Sequence, residues 1–124
     1  MNKKMVQATH AIKIKQMAKL VQRELGILFL IETARLFGGA VISVTTVDLS
    51  SDLSLAKVYL SFSLNEEQAT LLQKIDGHKS TMRRLLGKRV AGKMHKIPNL
   101  KFIIDRSVMQ GARVTALIDQ LEAD

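Results

Sequence analysis

The chain has 124 residues, 47% hydrophobic and 24% charged, with a formal net charge of +8 and no cysteine. That length fits one domain over residues 1–124, the composition is too apolar for a disordered tail, and the lack of thiols excludes disulfides, thiolate metal sites and cysteine nucleophiles. Only five aromatic residues are present, so any nucleic-acid binding rests on charge and shape instead of a row of stacked bases.

Residues 1–8 are expected to form a mobile arm. From about residue 10 to residue 37, Ile14, Met17, Ala18, Val21, Leu25, Leu28 and Phe29 recur at three- and four-residue steps, which predicts a helix with one apolar face. Thr9 suits its N-cap and Gly38-Gly39 its stop. The arm and the first half of this helix carry Lys3, Lys4, Lys13, Lys15, Lys19 and Arg23 with no acid among residues 1–23. The apolar run Ile27-Leu28-Phe29-Leu30-Ile31 is too short to cross a bilayer, which needs about 20 residues. It follows no signal-like leader, and together with the missing cysteines this gives a cytoplasmic expectation.

Two runs rich in β-branched residues follow, residues 41–49 and 55–62, joined by Ser50-Ser51-Asp52-Leu53-Ser54, whose side chains favour a turn. They predict an antiparallel hairpin. In the second run Ala56, Val58, Leu60 and Phe62 alternate with Lys57, Tyr59 and Ser61, so one face of the sheet is packed. Asn65-Glu66-Glu67 then opens a helix to about Asp76, with Asn65 as N-cap. Gly77 breaks the pattern, and a further helix from about Ser80 places Met82, Leu85, Leu86 and Val90 on one face, with Arg84 and Lys88 opposite. This region contains the second acid-free stretch, residues 79–96, with Lys79, Arg83, Arg84, Lys88, Arg89, Lys93 and Lys96. After Pro98 a third strand is expected over residues 100–105, then a last helix over residues 108–121 bearing Val114, Leu117, Ile118 and Leu121. The order predicts an α+β domain, its helices mainly on one face of a three-stranded sheet.

The two acid-free stretches hold 13 of the 19 basic residues and leave six against all eleven acids. Solvated helix faces ordinarily interleave acids to form i,i+4 pairs, so this segregation points to a polyanion partner. Chemistry is not evident elsewhere. His10, His78 and His95 lack metal-site spacing, no phosphate loop, dinucleotide fingerprint or nucleophile elbow occurs, and Asp48, Asp52 and Asp105 read as turn and cap acids in preference to magnesium ligands. No enzyme, cofactor or metal is expected.

Three blocks in order carry a family likeness: Val47-Asp48-Leu49-Ser50-Ser51-Asp52-Leu53-Ser54-Leu55-Ala56-Lys57-Val58-Tyr59-Leu60-Ser61, Arg84-Leu85-Leu86-Gly87-Lys88-Arg89-Val90, and Pro98-Asn99-Leu100-Lys101-Phe102-Ile103-Ile104-Asp105-Arg106-Ser107. The chain resembles the ribosome-binding factor A family. That resemblance implies a type II KH-like domain in which a kinked helix pair, commonly carrying Ala-x-Gly, replaces a GxxG loop. The corresponding position here is Lys79-Ser80-Thr81, without that glycine, so the kink falls either at Ser80, through local backbone bonding, or at Gly77.

The resemblance further implies binding to 16S rRNA in an immature 30S ribosomal subunit, help with late maturation and rRNA end processing, relevance to growth in the cold, and a monomer when free. The rRNA-facing residues would then be Lys13, Lys15, Lys19, Arg23, Lys79, Arg83, Arg84, Lys88, Arg89, Lys93 and Lys96. Two competing readings are a free single-stranded RNA binder, which would need the GxxG loop this chain lacks, and a basic helix lying on anionic lipid.

Overall fold

The computed structural model describes residues 3–63 and 67–107. The predicted last helix, and the Asn65-Glu66 start of the helix after the hairpin, lie outside them. Among the described residues the elements in chain order are helix α1 (Lys3–Leu36), strands β1 (Ile42–Leu49) and β2 (Leu55–Phe62), helices α2 (Gln68–Gly77) and α3 (Lys79–Arg89), and strand β3 (Asn99–Ile104).

α1 begins earlier than the sequence suggested. Residues 3–8 are its first turns, and Thr9 is not an N-cap: its hydroxyl donates to the Met5 carbonyl one turn back, 2.9 Å away. Lysine, methionine, glutamine and alanine all favour helix, and nothing before His10 interrupts it. The helix ends where expected, at Gly38 and Gly39, both with left-handed φ (+64° and +80°) that other residues adopt only with strain. The Gly39 N–H bonds back to the Thr33 carbonyl, and the Thr33 hydroxyl donates to Ala40, closing the turn into β1.

β1 and β2 pair antiparallel, and β2 and β3 pair parallel, in the order β1-β2-β3. A parallel neighbour needs a crossover, and α2 and α3 supply it. Aligned rows such as Val47, Val58 and Phe102, or Leu49, Ala56 and Leu100, are buried on one face under the helices. Thr46, Asp48 and Lys101 are exposed on the other. The β1–β2 register slips between Val44 and Thr46, so Thr45 is an extra residue. This bulge lets Ile42 and Val44 before it share the inner face with Val47 and Leu49 after it, although their spacing changes from even to odd.

Helix α1 supplies Val21, Leu25, Leu28 and Phe29 to the core, α2 supplies Leu71 and Ile75, and α3 supplies Met82 and Leu86. Phe29 meets Phe102 edge-on at 5.8 Å between ring centres and Phe37 at 5.6 Å, and Phe37 in turn meets His78 at 5.7 Å. The few aromatic rings are therefore largely committed to the core.

Candidate nucleic-acid interface

The helix pair α2–α3 breaks at His78, directly after Gly77, and Ser80 sits within the first turn of α3. The break needs no left-handed residue. His78 has φ −106° and ψ 15°, its N–H bonds to the Ile75 carbonyl at 3.0 Å, and its own carbonyl accepts from Met82 at 2.9 Å. The edge contact with Phe37 ties this junction to the end of α1.

Downstream of the junction, α3 and the segment leading into β3 enclose a cleft of about 490 Å³. It is lined by Lys79, Ser80, Arg83, Arg84, Gly87, Ile97, Asn99 and Leu100, with no carboxylate among them. Arg83 forms part of its wall: Nε donates to the Pro98 carbonyl at 3.1 Å and Nη2 to the Ile97 carbonyl at 2.8 Å. Its charge remains at the cleft while its donors hold the entry to β3. Lys79 reaches Asp76 at 3.8 Å, and both are partly exposed, so that pair contributes little to stability. Arg84 and Lys88 are exposed, as expected for the side of α3 opposite Met82 and Leu86, and make no hydrogen bond or ion pair among the described residues.

The two basic stretches meet at one acid. Glu24 directly follows the first stretch and lies buried on α1. Its Oε2 accepts from Arg89 Nε at 2.7 Å, and its Oε1 lies 3.4 Å from Arg23 Nη2. The Arg89 hydrogen bond, aided by both arginine charges and opposed by burial, holds the Glu24 carboxyl below its ordinary value of 4.5. Sequence reading passed over Glu24. The available signal was an acid set among Val21, Leu25 and Leu28 on an apolar stripe, where a charge requires a partner.

The remaining predicted cations are more widely spread. Lys13, Lys15 and Lys19 are exposed along α1, where every residue from Lys3 to Lys13 faces solvent. His10 ties that end of the helix to the hairpin: its Nε2 donates to the Ser51 carbonyl in the β1–β2 turn at 3.1 Å. Lys93 and Lys96 are exposed in the loop after α3. Lys96 also adds its charge to the field at Asp52, whose carboxyl is held well below the usual carboxylate range, mainly by the Ser54 and Ser50 hydroxyls. Asp52 orders the turn, in which Leu53 takes a left-handed φ of 62°. Asp105 accepts from the Thr45 hydroxyl and from the backbone and hydroxyl of Ser107. These acids are thus used locally, and among the described residues no three histidine or acidic side chains cluster as metal ligands. Nor, among them, is any helix long and apolar enough to cross a membrane.

The chain is similar to known proteins in both sequence and fold. The family described as ribosome-binding factor A matches residues 13–118. The chain belongs to the ribosome-binding factor A family. A ribosome-binding factor A from Cytophaga hutchinsonii is 38% identical over 98 residues, covering 79% of this chain and 74% of that protein. The crystal structure of ribosome-binding factor A from Thermus thermophilus superposes with a TM-score of 0.59 at 26% identity, covering 73% of this chain and 94% of that one. A homology model of the Thermus thermophilus factor, fitted into the cryo-EM map of its 30S complex, gives 0.54 at 30% identity, covering 70% and 89%. The fold is accordingly KH-like and α+β, as the sequence resemblance implied.

Proposed function

We propose that this protein is a non-enzymatic cytoplasmic assembly factor that binds 16S rRNA in the immature 30S subunit. There it assists late maturation, including processing of rRNA ends, and it matters most for growth in the cold. It acts as a monomer when free. The observation that carries this reading is the carboxylate-free cleft along α3, with Arg84 and Lys88 exposed beside it on a ribosome-binding factor A fold. The 30S complex of the Thermus thermophilus factor supports the choice of particle. Arg84, Lys88, Lys93 and Lys96 on this side, with Lys13, Lys15 and Lys19 on α1, contact phosphates. Arg23, Lys79, Arg83 and Arg89 contribute charge from side chains already bonded within the protein. Phosphate contacts of this kind position the factor and give little sequence readout.

Co-sedimentation with immature 30S particles, in parallel with free rRNA fragments and anionic liposomes, tests the reading. Binding to the particle is expected to fall about a thousandfold between 50 and 200 mM salt, the response for roughly six neutralised phosphates. A flat salt response, or a preference for liposomes, would overturn it. Accumulation of unprocessed rRNA ends on deletion, stronger at low temperature, is the cellular counterpart.

A further inference from the structure

Glu24 holds two arginines at once, although one would neutralise it. Its carboxylate, only 10% exposed, already has the Arg89 Nε 2.7 Å from Oε2, and the Arg23 guanidinium closes on the other oxygen at 3.4 Å. Two cations on one acid leave the cluster positive, with both carboxylate oxygens occupied by guanidinium. The part that faces water is cationic, since the Arg23 side chain is 62% exposed and that of Arg89 35%.

Each arginine is tied by a single nitrogen. Arg89 uses Nε and Arg23 uses Nη2, and among the described residues no other hydrogen bond engages either guanidinium. Nη1 and Nη2 of Arg89, with Nε and Nη1 of Arg23, remain as donors, and a planar guanidinium presents such donors in a fork that fits a phosphate. Because Glu24 already restrains both side chains, they lose less freedom on binding an anion than the untethered lysines of α1. The cluster lies where the two basic stretches meet, with Arg23 and Glu24 on α1 and Arg89 in the last turn of α3. Neither stretch, residues 1–23 or 79–96, brings a further carboxylate to it.

We infer that Arg23 and Arg89 form one clamp for a phosphate of the RNA backbone, and that Glu24 is its positioning residue, holding the two guanidiniums together across the seam between α1 and α3. The clamp rests on the reading of the partner as rRNA and deepens it: cations bonded within the protein take a phosphodiester through their remaining donors. Charge alone and positioning give opposite signs for Glu24→Gln. Removing an acid makes the domain more positive, which by itself strengthens polyanion binding. Losing the clamp weakens it, because an amide offers one acceptor oxygen and turns N–H donors toward the second guanidinium.

Equilibrium binding of the full chain to immature 30S particles, over a salt series and below the onset of melting, reads that sign. For Glu24→Gln the affinity is expected to fall about tenfold, and the slope of log affinity against log salt to become shallower by about one phosphate. Arg23→Lys keeps the charge at an exposed position but loses the fork, and is expected to bind about threefold more weakly. Arg35→Lys, the same exchange at a residue paired with Glu32 farther along α1, is expected to bind as the parent does. Glu24→Gln binding as tightly as the parent or tighter, or Arg23→Lys binding like Arg35→Lys, overturns the clamp and leaves the rRNA reading standing. A parent chain that does not bind the particle overturns both.

Discussion

The two basic stretches look alike in sequence, each long, cationic and free of acid, yet the fold uses them differently. Along α1 the lysines stand on an exposed face and among the described residues bond to nothing, and of that stretch's cations Arg23 alone reaches an acid, Glu24, at 3.4 Å. Along α3 two of the cations also serve the structure: Arg83 holds the carbonyls of Ile97 and Pro98, and Arg89 is paired with buried Glu24. An acid-free run therefore marks where positive charge gathers but not which charges are free. Among the described residues of this region, Arg84 and Lys88 on α3 are free, and Arg83 and Arg89 are anchored.

The largest expected effect on stability tests that division at its centre. Glu24→Ala removes the shared partner of Arg23 and Arg89 and is expected to cost about 2 kcal/mol, the scale for losing charge-assisted hydrogen bonds to partners that water can still reach. Equilibrium urea unfolding measures it, and a loss below about 0.5 kcal/mol, the scale of an ordinary surface substitution, would place Arg89 among the free cations. Next, Arg83→Ala should cost about 1–2 kcal/mol through its lost charge-assisted bonds, reduced by its exposure, whereas Arg84→Ala should leave the melting temperature unchanged. Equal shifts for these neighbours would erase the distinction.

Acid exposes the smallest difference. Because the folded Glu24 carboxyl is held below 4.5, its contribution is complete above that pH and disappears as pH falls through the lowered value. Glu24→Gln is therefore expected to be less stable than the parent at neutral pH and to lose less stability on acidification below 4.5. Thermal melts across that range would show the two curves converging; parallel curves would contradict the pairing.

Much of the fold was legible in the sequence because local chemistry was sufficient. β2 was placed to the residue, since alternation of apolar residues and a serine- and aspartate-rich turn bound it on one side, and the stop of α1 followed from two glycines that take left-handed φ. Thr9 misled because its hydroxyl can cap a helix or bond back inside one, and only the residues before it decide which. The Thr45 bulge was invisible because a run of β-branched residues reads the same with or without a register slip.

At the candidate interface, the cations could be read from the sequence but their commitments could not. Arg89 finds its partner 65 positions away, and Arg83 bonds to backbone carbonyls, which carry no side-chain signature. The break was legible to within a residue because Gly77 marks it, but the edge contact of His78 with Phe37 at the end of α1 joins residues 41 positions apart and left no local signal.

The most direct measurement is co-sedimentation of Arg84→Glu/Lys88→Glu with immature 30S particles, alongside a thermal melt of the same protein. Both residues face away from Met82 and Leu86, so the double variant is expected to melt with the parent and to be lost from the particle fraction. Unchanged co-sedimentation by a folded double variant would contradict the assignment of the free cations on α3 to rRNA.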